Sequence, residues 1–331
     1  MNFPLNHSVK QIKRSRSLGF TLPELLVVIA IISILATAVL AGMASVTAQA
    51  KEDRARAQIA KLHALIMDKW TSFESRRVGP FRVYNPTEPI GACPLSYRPN
   101  AAQLRLDGVR ELMRLELPDR KSDVVLTNAE PITVRNRPAL SLSYFRRVPQ
   151  NPSDWTEQYD DAECLYLIVS RMFVGDSSAL EFFNEGEIGD KDGDGMNEIW
   201  DAWENPVHFV RWPSGFNSPF QSLDRAIRNQ DPFDPLLADL RWNNSDPLDD
   251  PYYLIPLVFS SGVDGVVDMH DIKEFREENA NSPRYGYNAT CPPNDPYSLF
   301  GTGTRMGVHE DKQGDGDNTL DNITNHLIST L

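Results

Sequence analysis

The stretch that decides the reading of this chain is Gly19-Phe-Thr-Leu-Pro-Glu24-Leu-Leu-Val-Val-Ile-Ala-Ile-Ile-Ser-Ile-Leu35. From Leu25 to about Val46 there is no charged residue. At 1.5 Å per residue, roughly 22 residues rise about 33 Å, enough to cross a hydrocarbon core. Lys10, Lys13, Arg14 and Arg16 precede the run, and residues 1–19 hold no acid. Such a flank is expected to stay cytoplasmic, with the bulk of the chain outside. A cleaved secretory signal could use Ala48-Gln-Ala50, but the apolar run is too long for that class. Neither a signal nor a plain anchor explains Glu24. A carboxylate one turn into an apolar helix is costly in lipid and marks function.

The helix is expected to continue beyond the membrane. From Lys51 to about Ser75, Ile59, Leu62, Leu65, Ile66 and Trp70 recur at three- and four-residue spacing with charges between them, the pattern of a helix packed on one face. Residues 20–75 therefore read as one helix, transmembrane over about 25–46. Pro23 falls in its first turn, where a missing N–H is tolerated.

Gly19, Phe20, Thr21, Leu22 and Glu24, followed by the apolar run, resemble the N-terminus of type IV prepilins and type II secretion pseudopilins. The resemblance implies that a prepilin peptidase cuts between Gly19 and Phe20, removes the leader 1–19 and N-methylates Phe20. It also implies a register device: Glu24 of one subunit pairs with the Phe20 amine of its neighbour, since each charge alone is costly to desolvate. The implied partners are other pseudopilins, an inner-membrane secretion platform and the lipid bilayer. The implied location is the inner membrane, single-pass, with a periplasmic domain extracted into a filament.

Residues 76–331 form the expected periplasmic domain. Residues 78–150 are rich in Pro and Arg without a clear period, and read as an irregular insertion with strands at Asp123–Leu126 and Ala139–Phe145. Residues 154–173 carry Trp155, Tyr159, Ala162, Leu165, Tyr166, Val169 and Phe173 at helical spacing behind a capping Asp154. Val207–Trp212 and Tyr252–Ser260 read as strands. The segment 216–250 reads as a second insertion, and both insertions are expected to decorate the filament surface.

Asp190-Lys-Asp-Gly-Asp-Gly-Met-Asn-Glu-Ile-Trp-Asp201 places oxygen donors at loop positions 1, 3, 5, 9 and 12, with Gly195 at position 6. Asp190, Asp192, Asp194, the Met196 carbonyl, Glu198 and Asp201 thus form a candidate Ca2+ set, because hard cations take oxygen ligands around a sharp glycine turn. Asp201 is shorter than the usual Glu, and Pro206 forbids a long exiting helix. A solvated Asp/Gly turn is the alternative.

The order Asp201-Ala-Trp-Glu-Asn-Pro206, strand, Ser260-Ser-Gly-Val-Asp-Gly265 and a closing Asp-rich segment resembles the C-terminal sheet of major pseudopilins. There the last two segments hold a structural calcium, which implies a second site at Asp264, Asp317 and Asp321. Glu204 stands where the family has a turn glycine.

A net charge of −13 argues against nucleic acid, which needs a basic face. Cys93, Cys164 and Cys291 form no metal pattern; Cys164 reads as a buried thiol, and a Cys93–Cys291 bridge stays open. No nucleophile elbow, phosphate loop or zinc-protease motif occurs, and His63, His208, His270 and His326 read as packing or surface. The expectation is α+β, a pilin-like long helix on a small antiparallel sheet, with no enzyme activity. A type II secretion pseudopilin leads. A type IV pilus subunit is the alternative, as is a membrane-tethered calcium-binding or carbohydrate-active domain, an enzyme or a carbohydrate binder exported by a prepilin route, marked by clustered exposed Trp200, Trp203, Trp212 and Trp242.

Overall fold

The computed structural model describes residues 20–79, 99–125, 136–243, 250–270, 295–297, 304–310, 312 and 322–327. Helix α1 runs Leu22–Ser72, 51 residues, close to the expected span. Its first half belongs to one compact unit ending at Ala50, and the second unit begins at Lys51.

In the first unit the helix is apolar and exposed: Leu25, Leu26, Ile29, Ile32, Leu35, Leu40 and Val46 are all uncovered. It is long and apolar enough to cross a membrane. Two of its hydroxyls are satisfied within the helix, Ser33 Oγ donating to Ile29 O (2.8 Å) and Thr37 Oγ1 to Ser33 O (2.7 Å). An unpaired hydroxyl in hydrocarbon would be costly.

In the second unit the same helix turns amphipathic. Ala55, Ile59, Leu62, Ile66 and Trp70 are buried, as is Phe73 just past its end, and they form one wall of the core. Polar bonds hold this wall in place: Arg54 pairs with Glu187 at 2.9 Å, and Gln58 Nε2 donates to Trp200 O at 3.0 Å. His63 Nδ1 lies 2.8 Å from Asn325 Nδ2.

The region 78–150 departs from expectation. It carries α2 (Ala101–Glu116), α3 (Lys121–Val124) and α4 (Ala139–Phe145), so the second expected strand is a helix, and of the first Asp123 and Val124 are helical and Val125 caps them; Leu126 lies outside the described residues. The alternation in Ala-Leu-Ser-Leu-Ser-Tyr-Phe is misleading: Ser141 and Tyr144 are the buried positions, three apart, while Leu142 and Phe145 are exposed. Asn100 caps α2, its side chain accepting from Gln103 N at 2.9 Å. Nor does α2 decorate a surface. Asp107, Arg110, Glu111, Arg114 and Glu116 are buried along with its apolar residues.

Helix α5 (Asp160–Val169) is shorter than expected. Asp154 lies in the preceding turn, bonded to Asn151, and Trp155 is buried in that turn with its Nε1 donating to Glu163. Two small antiparallel ladders follow, β1 (Phe173–Val174) with β2 (Ser177–Ser178), and β3 (Ile188–Gly189) with β4 (Glu198–Ile199). The main sheet has the order β5 (Val207–Val210), β6 (Leu257–Ser260), β7 (Ile323–Thr324), all antiparallel. The α+β class holds, with helix α1 and small antiparallel sheets.

Two buried ion networks join these parts. Arg211, just beyond β5, meets Asp119 at 3.1 Å and Asp123 at 2.9 Å, and its Nη1 donates to Leu117 O at 2.7 Å. Arg110 of α2 meets Asp239 at 2.7 Å and Asp231 at 3.4 Å. The second insertion thus also reaches the core, through Asp231, Phe233, Asp234 and Asp239. Cys164 is a buried free thiol; Cys93 and Cys291 lie outside the described residues.

His326 is buried between Ser218 Oγ (2.9 Å from Nδ1) and Pro256 O (3.3 Å from Nε2). A carbonyl cannot donate, so Nε2 carries the proton and Nδ1 accepts from the serine. Burial lowers its pKa from 6.5 to about 4, against the raising effect of the backbone bonds. Between these values the unfolded chain holds a proton that the folded chain refuses, so stability falls as pH drops. His326→Gln is expected to make urea-unfolding stability fall less steeply from about pH 6.5 to about pH 5, by up to roughly 1.4 kcal/mol per pH unit.

Candidate functional site

The N-terminal segment begins with a cap. Thr21 N and Thr21 Oγ1 both donate to Glu24 Oε2 at 2.8 Å, and Glu24 N approaches Thr21 Oγ1 at 3.4 Å. Thr21-Leu-Pro-Glu24 is therefore a capping box, with threonine at the N-cap and glutamate three residues on. Glu24, singled out for assembly alone, has a partner within its own chain. The Thr-x-x-Glu spacing is the sequence signal for this role. Phe20 is exposed, and Gly19 lies outside the described residues.

The acidic run 190–201 spans the loop of the β3–β4 hairpin, residues 190–197, and strand β4 beyond it, so the loop lies between strands rather than helices. Asp190 accepts from Gly193 N at 2.6 Å and Gly195 N at 2.9 Å. Asp194 accepts from Met196 N at 2.9 Å and, across the chain, from Thr156 N at 2.6 Å. Thr156 Oγ1 donates to Asp192 at 3.1 Å. Gly193 and Gly195 adopt φ of +80° and +93°, and a Cβ at Gly195 would meet Pro149 Cγ at 3.3 Å. This is a turn that only glycine fits.

Oxygens of Asp190, Asp192 and Asp194 lie within 4.8 Å of one another, and so do those of Glu163, Asp192 and Glu198. Sequence reasoning missed Glu163, which sits 27 residues before the loop on α5. Burial, then repulsion from Asp194, Asp160 and Glu198, pushes Glu163 up to about 10 although Trp155 opposes the shift. Burial and the Asp192 charge push Glu198 up to about 8. Asp192 is also raised, by burial and then by Asp194.

Asp201 is used differently. Its carboxylate accepts from Trp203 N and Asn205 N, both at 2.8 Å, and from Ser260 Oγ at 2.5 Å. Asn205 Nδ2 in turn donates to Gly262 O at 2.7 Å. The turns 201–206 and 260–265 are thereby locked together at the end of the β5–β6 ladder. Asp264 accepts from Val266 N at 2.9 Å; Asp317 and Asp321 lie outside the described residues. Trp200 and Trp212 are buried, and Trp203 and Trp242 are half-buried, so these four do not form an exposed aromatic platform.

Residues 14–40 match the family model of the prokaryotic N-terminal methylation motif, the prepilin-type cleavage and methylation segment. That motif implies processing by a prepilin peptidase and assembly with other pilin subunits. With the apolar helix behind it, it fits a single-pass membrane-anchored protein of the type IV pilin-like or pseudopilin kind. Comparison with curated proteins and with solved structures gives no significant match.

Glu204 occupies φ +70°, the left-handed region that glycine adopts without strain. Glu204→Gly is expected to stabilise the protein by about 1 kcal/mol or less in urea unfolding, the gain being trimmed by added freedom in the unfolded chain. Glu204→Ala is expected to give no gain.

Proposed function

We propose that this protein is a pseudopilin, a structural subunit of a short periplasmic filament that drives type II protein secretion. The observation that carries the reading is the prepilin-type segment running directly into a single helix, uncovered and apolar to Val46 and then built into a head domain. Cleavage after Gly19 frees the Phe20 amine at the edge of the apolar helix. Glu24 of an incoming subunit then exchanges its Thr21 bonds for that amine on a neighbour, which fixes axial register because the amine left alone in lipid is costly. The basic leader keeps the N-terminus cytoplasmic and the head periplasmic.

The secretion role is favoured over a pilus for adhesion or motility by the sheet. The turn 201–206, strand β5, strand β6 and the turn 260–265 follow the order that resembles the major pseudopilin sheet, and the two turns are bonded to each other. A pilus subunit is the second reading, supported by the same N-terminal segment.

Mass spectrometry of the native protein is expected to find a mature N-terminus at methylated Phe20. Glu24→Ala is expected to be processed normally yet to lose most of its cross-linking into filaments. Normal incorporation of that variant would remove the register role. A deletion strain should retain exported enzymes in the periplasm while twitching normally; the converse would favour the pilus.

A further inference from the structure

The hydrogen bonds divide the carboxylates around the acidic loop into two groups. Asp190 caps the backbone of Gly193 and Gly195, Asp194 bonds to Met196 and Thr156, and Asp201 is occupied with Ser260 and the following turn. Glu163 and Glu198 are fully buried, and Oε1 of each has no hydrogen-bond partner. Two orphaned carboxylate oxygens, brought together from a helix and a strand, need a counter-charge or a proton.

No ion pair among the described residues supplies that charge to Glu163, Asp192 or Glu198. The loop's own lysine is turned elsewhere: Lys191 Nζ lies 3.9 Å from the Trp200 ring centroid and 3.6 Å from Glu204. The three carboxylates converge instead on one another, with oxygens within 4.8 Å. Oxygens on opposite sides of a single calcium ion are about 4.6–5.2 Å apart, twice a metal–oxygen distance of 2.3–2.6 Å.

We propose that Glu163, Asp192 and Glu198 form a site for one calcium ion, which ties helix α5 to the β3–β4 hairpin. All donors are hard oxygens, the class that selects calcium over softer metals. Water completes the shell on the side of half-buried Asp192. The second oxygens of the two glutamates are held, with Trp155 Nε1 donating to Glu163 and Lys191 N to Glu198, and Asp192 accepts from Thr156 Oγ1 at 3.1 Å and weakly from Asp194 N at 3.4 Å, so the ligands are oriented before the ion arrives. This site stands independently of the filament reading, because it uses nothing from the N-terminal segment.

The test is calcium titration of the chelator-stripped full chain in detergent, by calorimetry and by terbium luminescence excited through tryptophan. Trp155, bonded to Glu163, is placed to sensitise a bound lanthanide. Wild type is expected to take up calcium with terbium emission that calcium displaces. Glu163→Gln keeps an acceptor for Trp155 and is expected to weaken calcium at least about tenfold, as is Glu198→Gln, with circular dichroism verifying that each variant is folded. Asp201→Asn is expected to bind within about twofold of wild type, since Asp201 holds a turn rather than the ion. Wild-type affinity in both Glu163→Gln and Glu198→Gln would place the ion inside the loop with Asp190 and Asp194 and overturn the assignment. No uptake by wild type at millimolar calcium would overturn it too, leaving the two buried glutamates protonated.

Discussion

One helix has to satisfy two solvents, and the remainder of the molecule follows from how it does so. Over its first half, α1 presents apolar side chains all round, because hydrocarbon accepts them on every face. From Lys51 onward it presents Ile59, Leu62, Ile66 and Trp70 on a single stripe, and that stripe is a wall of the head-domain core. The change of pattern takes place without a break in the hydrogen-bond ladder. A domain built against such a helix cannot be rotated or shifted along it without exposing Trp70 or Leu62. Gln58, His63 and Arg54 set the position further through bonds to Trp200, Asn325 and Glu187.

Around that wall the chain uses charge inside the core to an unusual extent. Arg211 has no exposed side-chain surface and meets Asp119 and Asp123. Arg110 joins helix α2 to the segment 231–239. Buried pairs of this kind rarely add net stability over a hydrophobic alternative, but removing one partner leaves an uncompensated charge.

These charges also explain what the sequence did and did not reveal. The membrane half of α1, its amphipathic continuation, strand β5 and the last four residues of the expected strand Tyr252–Ser260 were legible, because their partners are lipid or apolar core and hydropathy reports both; residues 252–256 are not strand. Helix α2 was not, since its buried face includes Asp107, Arg110, Glu111, Arg114 and Glu116, which read as solvent-facing until their partners are known. Helix α4 mimicked a strand because its serines alternate with leucines while burial follows a helical period. The acidic loop was legible as a loop, but Glu163 belongs to a different element and only folding brings it there. The turn at Glu204 was found through a missing glycine, and the positive φ there shows that the backbone keeps the glycine geometry without the glycine.

The capping box at the start of α1 has a consequence for any joining of subunits. Glu24 is already engaged in a solitary chain, where Thr21 supplies both a main-chain and a hydroxyl proton to one of its oxygens. A neighbour that recruits this carboxylate does not rescue a stranded acid; it competes with a resident. The driving force for docking is then a difference between two occupied states, smaller than the full strength of a new contact. In the proposed filament, a subunit returning to the bilayer would recover its Thr21 bonds at once, and each addition would be easy to undo.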